Sequence, residues 1–401
     1  MAAPAPASAP TPTLARKTLC VEGWRGVNHS IAMVNQHQLL ALLDDPQLQV
    51  YHRDTPFFMP HWTAQRLPAG FSDAEQARIA AVPPPPEGAR IDALLRITSP
   101  FRTVIDPAVK TLSFMVTECS LVAACFDAPL GDRAPFTRDA NRILTPSAWS
   151  RDRLVEHGFA PEGIVVLPHG VNARTFSPLA PAARRQARLL LGVADDEPLF
   201  VNVGVATWNK GLDFLIHAFA TVRARHPRAR LLIKENKGLY GLGVDRIVAD
   251  LQRQSPSLFN SAVLAGISVI SNSLDQGQLR TLYAVADAYV SPYRAEGFNL
   301  PVLEALACGT PVIVTAGGAT DDFCSGSLAI RVPSRPGLRA DAPEEVGPFC
   351  VPDADALFEA MSAVAAAGAA PIDSAAVQAE RQALLARLSW PAVARQLAAL
   401  V

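Results

Sequence analysis

Two carboxylates and a few cations are the residues whose types and spacing could do chemistry in this chain. Glu296 and Glu304 stand with seven residues between them inside the run Val290-Ser291-Pro292-Tyr293-Arg294-Ala295-Glu296-Gly297-Phe298-Asn299-Leu300-Pro301-Val302-Leu303-Glu304-Ala305-Leu306-Ala307-Cys308-Gly309-Thr310-Pro311-Val312-Ile313-Val314. The first falls on a loop and the second one turn into a helix, so the pair can hold two parts of one extended ligand. The loop from Glu296 to Asn299 delivers N–H groups to a helix N-terminus, whose partial positive charge suits phosphate or sugar oxygens. Gly297 lets a ligand approach the backbone closely. Lysine is scarce, with five among 36 basic residues, and Lys210, Lys234 and Lys237 fall close together. Lys210 follows a strand and precedes a helix, which is where open α/β sheets bind ligands.

Strands and helices must position these groups. Residues 286–291 are a short apolar strand run. Pro301 suits a first helical residue, because its missing N–H would be unpaired there anyway. Val302, Leu303 and Leu306 give an apolar helical stripe. Gly309 suits a positive φ after the helix, Pro311 stops continuation, and Val312 to Val314 form the next buried strand. Leu199 to Gly204 is a continuous apolar strand of the kind found in parallel sheets. The loop to Gly211 follows, then a helix with Leu212, Leu215, Ile216, Phe219 and Val222. Further strands are expected at 18–21, 49–52, 92–97, 112–117, 142–145, 164–167, 230–233 and 261–265. Helices are expected at 72–81, 151–157, 275–285, 375–388 and 391–400.

Near the start, Gly23 and Gly26 follow the first strand and precede an apolar helical pattern, with His29 at its beginning. Glu118 closes the strand ending at Thr117. His169 lies in Pro168-His169-Gly170-Val171-Asn172, where the simplest reading is a hinge residue bonded to backbone. Asp353-Ala354-Asp355 has the form of a metal-binding DxD string, but it precedes an apolar helical pattern, so Asp353 reads as an N-cap. No His, Cys or carboxylate cluster has metal spacing.

The chain has 401 residues, 49% hydrophobic and 18% charged, with a net charge of −1. That length suits two domains with substantial cores. The near-zero charge gives nothing to favour nucleic acid or an anionic membrane. No apolar run is long enough to span a bilayer. Residues 1–16 read as a disordered tail and not a secretory signal. Six scattered cysteines read as reduced thiols, which suits a cytoplasmic protein.

The run Glu296-Gly297-Phe298-Asn299-Leu300-Pro301-Val302-Leu303-Glu304 resembles the two-glutamate signature of family 4 glycosyltransferases. The loop ending in Lys210-Gly211, the hinge from Thr145 to Phe176, and the glycine loop near His29 resemble the same family. The resemblance implies the GT-B fold: an α/β protein of two Rossmann-like domains whose parallel sheets face each other across a cleft. The expected bounds are 17–180 for an N-terminal acceptor-side domain and 181–385 for a C-terminal nucleotide-sugar domain. Residues 386–401 would be a closing helix packing back towards the first domain.

The implied activity is retaining transfer of a sugar from a UDP- or GDP-sugar to a glycan, lipid-linked or protein acceptor. No metal or other cofactor is implied. By the same resemblance Glu296 contacts the donor sugar, Glu304 grips the ribose and Lys210 contacts the donor phosphates, with Gly297, Phe298, Asn299 and Leu300 as backbone contacts. The loop from Gly266 to Ser273, again by the family resemblance, would lie near a nucleotide base. Family members also carry an arginine after the strand preceding Lys210, and a histidine near residue 118. This chain has Val205 and Ala206, and Thr117-Glu118, at those places. Lys234 or Arg294 is the candidate second cation; Gly23, Gly26, His29 and Glu118 are the acceptor-side candidates. Peripheral contact with the inner face of a membrane is compatible with the sequence. A non-catalytic subunit of the same fold, a sugar-nucleotide epimerase and a dinucleotide oxidoreductase are the competing readings. The last lacks its glycine fingerprint.

Overall fold

Short runs of branched and aromatic residues become the strands of two parallel sheets. A computed structural model describes residues 16–27, 29–64, 70–324, 326–337, 347–367 and 374–401. The expected tail therefore lies, up to residue 15, outside the described residues, as does Asn28 in the first glycine loop. The first sheet contains β1 (Lys17–Gly23), β2 (Leu48–Asp54), β3 (Ala93–Ile97), β4 (Lys110–Phe114), β5 (Arg142–Thr145) and β6 (Ile164–Val166). Their order is β2-β1-β3-β4-β5-β6. The second contains β7 (Leu199–Gly204), β8 (Arg230–Glu235), β9 (Ile267–Ile270), β10 (Ala288–Ser291), β11 (Val312–Thr315) and β12 (Ala329–Val332). Their order is β12-β11-β10-β7-β8-β9. A small antiparallel hairpin, β13 (Ser334–Gly337) with β14 (Phe349–Pro352), completes the strands among the described residues.

The second order dictates where a ligand can sit. From β7 the chain steps outward through β8 to β9, then returns to start again at β10 on the other side of β7. The helices entered by the loops leaving β7 and β10 therefore pack on opposite faces of the sheet, which opens a crevice at the carboxyl ends of the strands. Those loops carry Lys210 and Glu296.

Apolar cores fill both faces of the second sheet. One gathers Leu199, Val201, Tyr289, Leu303 and Leu306; the other gathers Phe200, Leu215, Phe219, Leu231 and Val290. In the first half Leu19, Leu39, Leu95 and Leu112 share a core with Val393, Ala394 and Leu397 of the helix Trp390–Ala398. The chain end thus packs against the helix Ser30–Leu42 of the first half. The crossing is tight: the Val171 N–H donates to the Leu388 carbonyl at 2.8 Å, and a Cβ on Gly170 would strike the Trp390 backbone.

Two expectations need correction. Residues Ser261–Leu264 form a helical turn, not a strand, because the Asn260 side chain accepts from the Val263 N–H at 3.1 Å and caps it. The strand comes next, at Ile267–Ile270, so the loop near a base starts only after Ile270. A short apolar run cannot by periodicity alone be told from a helical segment. The helix expected from 151 begins at Ala148, because Ser147 accepts from the Ser150 N–H.

Arg188 ties the connecting helix Pro181–Leu190 to the second sheet. It is fully buried, donates to the Val285 carbonyl at 2.7 Å and pairs with Asp287 at 3.3 Å. Its other nitrogen donates to the carbonyls of Ala194 and Glu197. Asp287 in turn accepts from the Leu199 N–H at the start of β7, at 2.7 Å. Arg184 also pairs with Asp287, at 2.7 Å, so losing Arg188 leaves that carboxylate one cation but takes the donor from the Ala194 and Glu197 carbonyls, which costs about 1–3 kcal/mol. Arg188→Ala is expected to lower the unfolding free energy of the second half, measured by urea denaturation, by an amount of that order; an unchanged value would contradict this role.

Candidate active site

The loop leaving β7 is shaped by Gly211, which has a φ of 67°. A Cβ there would run into the Pro292 carbonyl, so only glycine lets this loop seat on the loop leaving β10. Arg294 and Ala295 donate their N–H groups to the Asn209 carbonyl at 2.7 and 3.3 Å, and the Asn209 amide donates to the Ala295 carbonyl at 3.0 Å. The two loops are one knitted unit. It brings the Lys210 ammonium to 2.8 Å from Glu296.

Glu118 reaches the same place from the first half. Its carboxylate accepts from Lys210 at 3.2 Å and from the Asn209 amide at 2.8 Å. Lys210 is therefore flanked by two carboxylates. Burial works to lower its pKa, but the charges of Glu118 and Glu296 raise it overall. Burial pushes the Glu296 carboxyl up, against the pull of Lys210 and with the push of Glu118.

Beyond Glu296 the backbone presses on the first half. The Gly297 carbonyl accepts from the Ser147 hydroxyl at 2.7 Å, and the Ala148 N–H donates to Asp322 at 2.7 Å. Phe298 packs on His169 and Phe323, with ring centroids 4.9 and 4.8 Å away. Asn299 takes a left-handed φ of 75° and donates to the Ser291 hydroxyl at 3.0 Å, which sets the start of the helix Leu300–Ala307. Pro301 is accordingly the second helical residue and not the first.

Glu304 then faces a cavity of about 240 Å³ between the halves. Val205, Lys234 and Tyr283 line it from the second half, and His37 lines it from the first, beside Trp390 of the closing helix. The Tyr283 hydroxyl donates to Glu304 at 2.7 Å. Burial nevertheless lifts the Glu304 pKa from its ordinary 4.5 to about 7. A half-buried carboxylate with one hydrogen bond and open space beside it is equipped to accept from hydroxyl donors of a ligand.

The remaining sequence candidates divide clearly. Leu300 and Lys234 line the cavity, and the Lys234 ammonium donates to the Glu235 carbonyl while burial lowers its pKa. Arg294 points elsewhere: it pairs with Asp213 at 2.5 Å, donates to the Trp208 carbonyl at 2.8 Å and lies over the Phe214 ring. It does not serve as a second cation in the cleft. Gly23 is pressed against β3, where a Cβ would meet the Ile97 carbonyl at 2.7 Å. Gly26 donates its N–H to Gln36 and borders a separate cavity of about 490 Å³ beside Arg25 and Asp54.

His29 caps the helix Ser30–Leu42, accepting from the Ile31 N–H at 3.2 Å, and burial among Trp24 and Trp62 lowers its pKa to about 4. Of the acceptor-side candidates only Glu118 meets Lys210 and Glu296. His169 is corrected from a backbone-bonded hinge to an aromatic wedge: it stacks among Phe114, Phe298 and Trp390, and its buried Nδ1 has no hydrogen-bond partner. Asp353 accepts from the Ala356 N–H at 2.9 Å, as an N-cap does. Among the described residues no group of three His, Cys or carboxylate side chains is arranged to hold a metal ion. Likewise, no described helix is long and apolar enough to cross a membrane.

Sequence reasoning missed Asn209, Ser147, Asp322 and His37, all of which act across a large sequence separation and lack a local pattern.

Two parallel sheets facing across a ligand-sized cleft are the GT-B architecture. Solved structures agree: the Anabaena protein HepE in complex with UDP and glucose superposes with a TM-score of 0.65, at 14% identity over 96% of this chain and 99% of that one. Residues 184–325 match the family model of glycosyl transferases group 1. The chain has the GT-B fold and carries a group 1 glycosyl transferase domain over those residues. It is 34% identical over 207 residues to D-inositol 3-phosphate glycosyltransferase of Frankia alni, covering 49% of this chain and 48% of that one. It is 28% identical over 182 residues to mannosylfructose-phosphate synthase of Agrobacterium fabrum, covering 45% and 39%. The chain spans about half the length, or less, of these curated relatives.

The closeness of Gly297 to Val116 gives a test of the seam. A Cβ on Gly297 would run into Val116 Cγ2. Overpacking of this kind costs typically about 1–3 kcal/mol. Gly297→Ala is expected to lower the melting temperature, and adding Val116→Ala, which removes that methyl, should restore part of the loss. Absence of rescue would mean that the halves do not meet there.

Proposed function

We propose that the chain is a retaining, metal-independent glycosyltransferase of the hexosyl type, using a UDP- or GDP-sugar as donor. The observation that carries this reading is the Glu304 carboxylate, half-buried beside Tyr283 and facing the cleft cavity at the carboxyl ends of the second sheet. A ribose there could donate both hydroxyls to it. The donor diphosphate would lie toward Lys210 and the N-terminus of the helix Leu300–Ala307. An ammonium and unpaired N–H groups stabilise charge on a leaving diphosphate as it develops. Glu296 would meet the transferred sugar. Lys234 lines the same cavity and is the candidate second cation.

Support comes also from the group 1 match and from the relatives, whose names describe transfer to, or synthesis of, phosphorylated polyols and sugars. Small phosphorylated acceptors therefore join glycan, lipid-linked and protein acceptors as the class to test. The departing phosphate would take the acceptor proton, so the scheme needs no enzyme nucleophile. Closure of the halves would exclude water and limit donor hydrolysis. A cytoplasmic site of action, with or without peripheral contact at the inner face of a membrane, fits a nucleotide-sugar donor.

Calorimetric titration with UDP, GDP, ADP and their sugar conjugates, with and without a chelator, tests the reading. One nucleotide should bind regardless of chelator, and Glu304→Ala should weaken it about 10- to 100-fold, the worth of one charge-assisted hydrogen bond. Retained affinity in that variant would remove Glu304 from the site.

The pH dependence has a definite sign. Glu304 has a folded-state pKa of about 7, above its ordinary 4.5, so the free protein loses stability as pH rises through that window. Hydroxyl donors favour the ionised carboxylate, so nucleotide binding should release a proton and tighten as pH rises through about 7. Glu304→Gln should flatten that dependence; an equally steep profile in the variant would assign it to another group.

A further inference from the structure

The contact between Glu118 and Lys210 has no part in holding the ligand that the proposed function assigns to Lys210. It sets two carboxylates on one ammonium, so the knot as a whole carries an excess negative charge where a diphosphate should bind. The two carboxylates are not equivalent. The Glu296 side chain is 9% exposed, whereas that of Glu118 is 46% exposed. Glu118 can swing into water without stranding a buried charge, and Glu296 cannot.

The backbone behind Glu118 is fixed. Its carbonyl accepts from the Trp149 indole at 2.6 Å, and the Thr117 N–H donates to Ser150 at 2.9 Å. The carboxylate is thus aimed at Lys210 and Asn209 by a rigid segment of the first half. Its partners lie on the loop leaving β7, more than ninety residues away in sequence.

We propose that Glu118 is a built-in competitor for the donor diphosphate: it occupies Lys210 in the ligand-free chain and is displaced when a diphosphate arrives. Donor binding is then coupled to the seam between the halves, because the carboxylate that leaves belongs to the first half. The inference rests on the glycosyl-transfer reading for the identity of the diphosphate, and on the ion pairs alone for the competition. Glu118 is a positioning residue in this scheme, acting through Lys210.

The test is calorimetry with inorganic pyrophosphate, UDP, GDP, and the nucleosides uridine and guanosine. The proteins are the wild type, Glu118→Gln, Glu118→Asp and the double variant Glu118→Gln/Lys210→Met. Loss of a partly exposed ion pair should tighten the diphosphates about two- to fivefold in both single variants, with the nucleosides unchanged. Glu118→Asp, with its shorter reach, guards against a fault peculiar to the amide. The gain should vanish in the double variant. A merely structural Glu118 would give weaker binding or none of this selectivity, so unchanged or weaker diphosphate affinity in the single variants overturns the inference. If no nucleoside or nucleotide binds but pyrophosphate still tightens, the glycosyl-transfer reading fails and the competition stands. If nucleotides bind wild type and variants alike, the reverse holds. If nothing binds any protein, both fail.

Discussion

Lys210 is held between a carboxylate from each half of the molecule, at 2.8 Å from Glu296 and 3.2 Å from Glu118. Much of the surrounding architecture exists to make that arrangement possible. The sheet order sends the helices after β7 and β10 to opposite faces, the left-handed Gly211 seats one loop on the other, and Asn209 stitches them together. The seam with the first half then forms through Gly297, Ser147 and Asp322, with glycine required where Val116 presses in. A cation left alone in so closed a place would be costly, and so would the Glu296 carboxylate. The three charges hold one another until a stronger anion competes.

The second centre is chemically different. Glu304 sits one turn into the helix Leu300–Ala307, in the cavity with Tyr283, Lys234 and the residues contributed by the first half and the closing helix. Burial raises both carboxyls, but one glutamate is spent in an ion pair and the other faces the cavity with a single tyrosine hydroxyl on it. Paired carboxylates whose environments push them into different roles are a recurring feature of functional clefts. Leu300 and Pro301, at the N-terminus of that helix, line the cavity next to the loop that carries Glu296.

The parts of this site that were legible in the sequence are those fixed by local rules. The strand, loop, proline, helix and glycine of residues 286–314 follow from turn chemistry and apolar period, and the structure has each within a residue or two. Asp353 as an N-cap is equally local. What sequence could not give is decided by partners far along the chain. Arg294 lies two residues from Glu296 yet is claimed by Asp213 and two aromatic rings. Glu118 becomes important only because Lys210 is brought to it. Asn260 converts an apolar run into a helical turn. In each case a tertiary contact or a cap overrode a reading that propensity alone left open.

The central claim is that one extended nucleotide ligand spans the two centres. A crystal structure of the chain with UDP or GDP, whichever binds, tests this most directly. The account predicts ribose hydroxyls on Glu304, phosphate oxygens on Lys210, and the Glu118 carboxylate turned away from it. A nucleotide lodged outside the cleft, with Lys210 still clasped between both carboxylates, would contradict it.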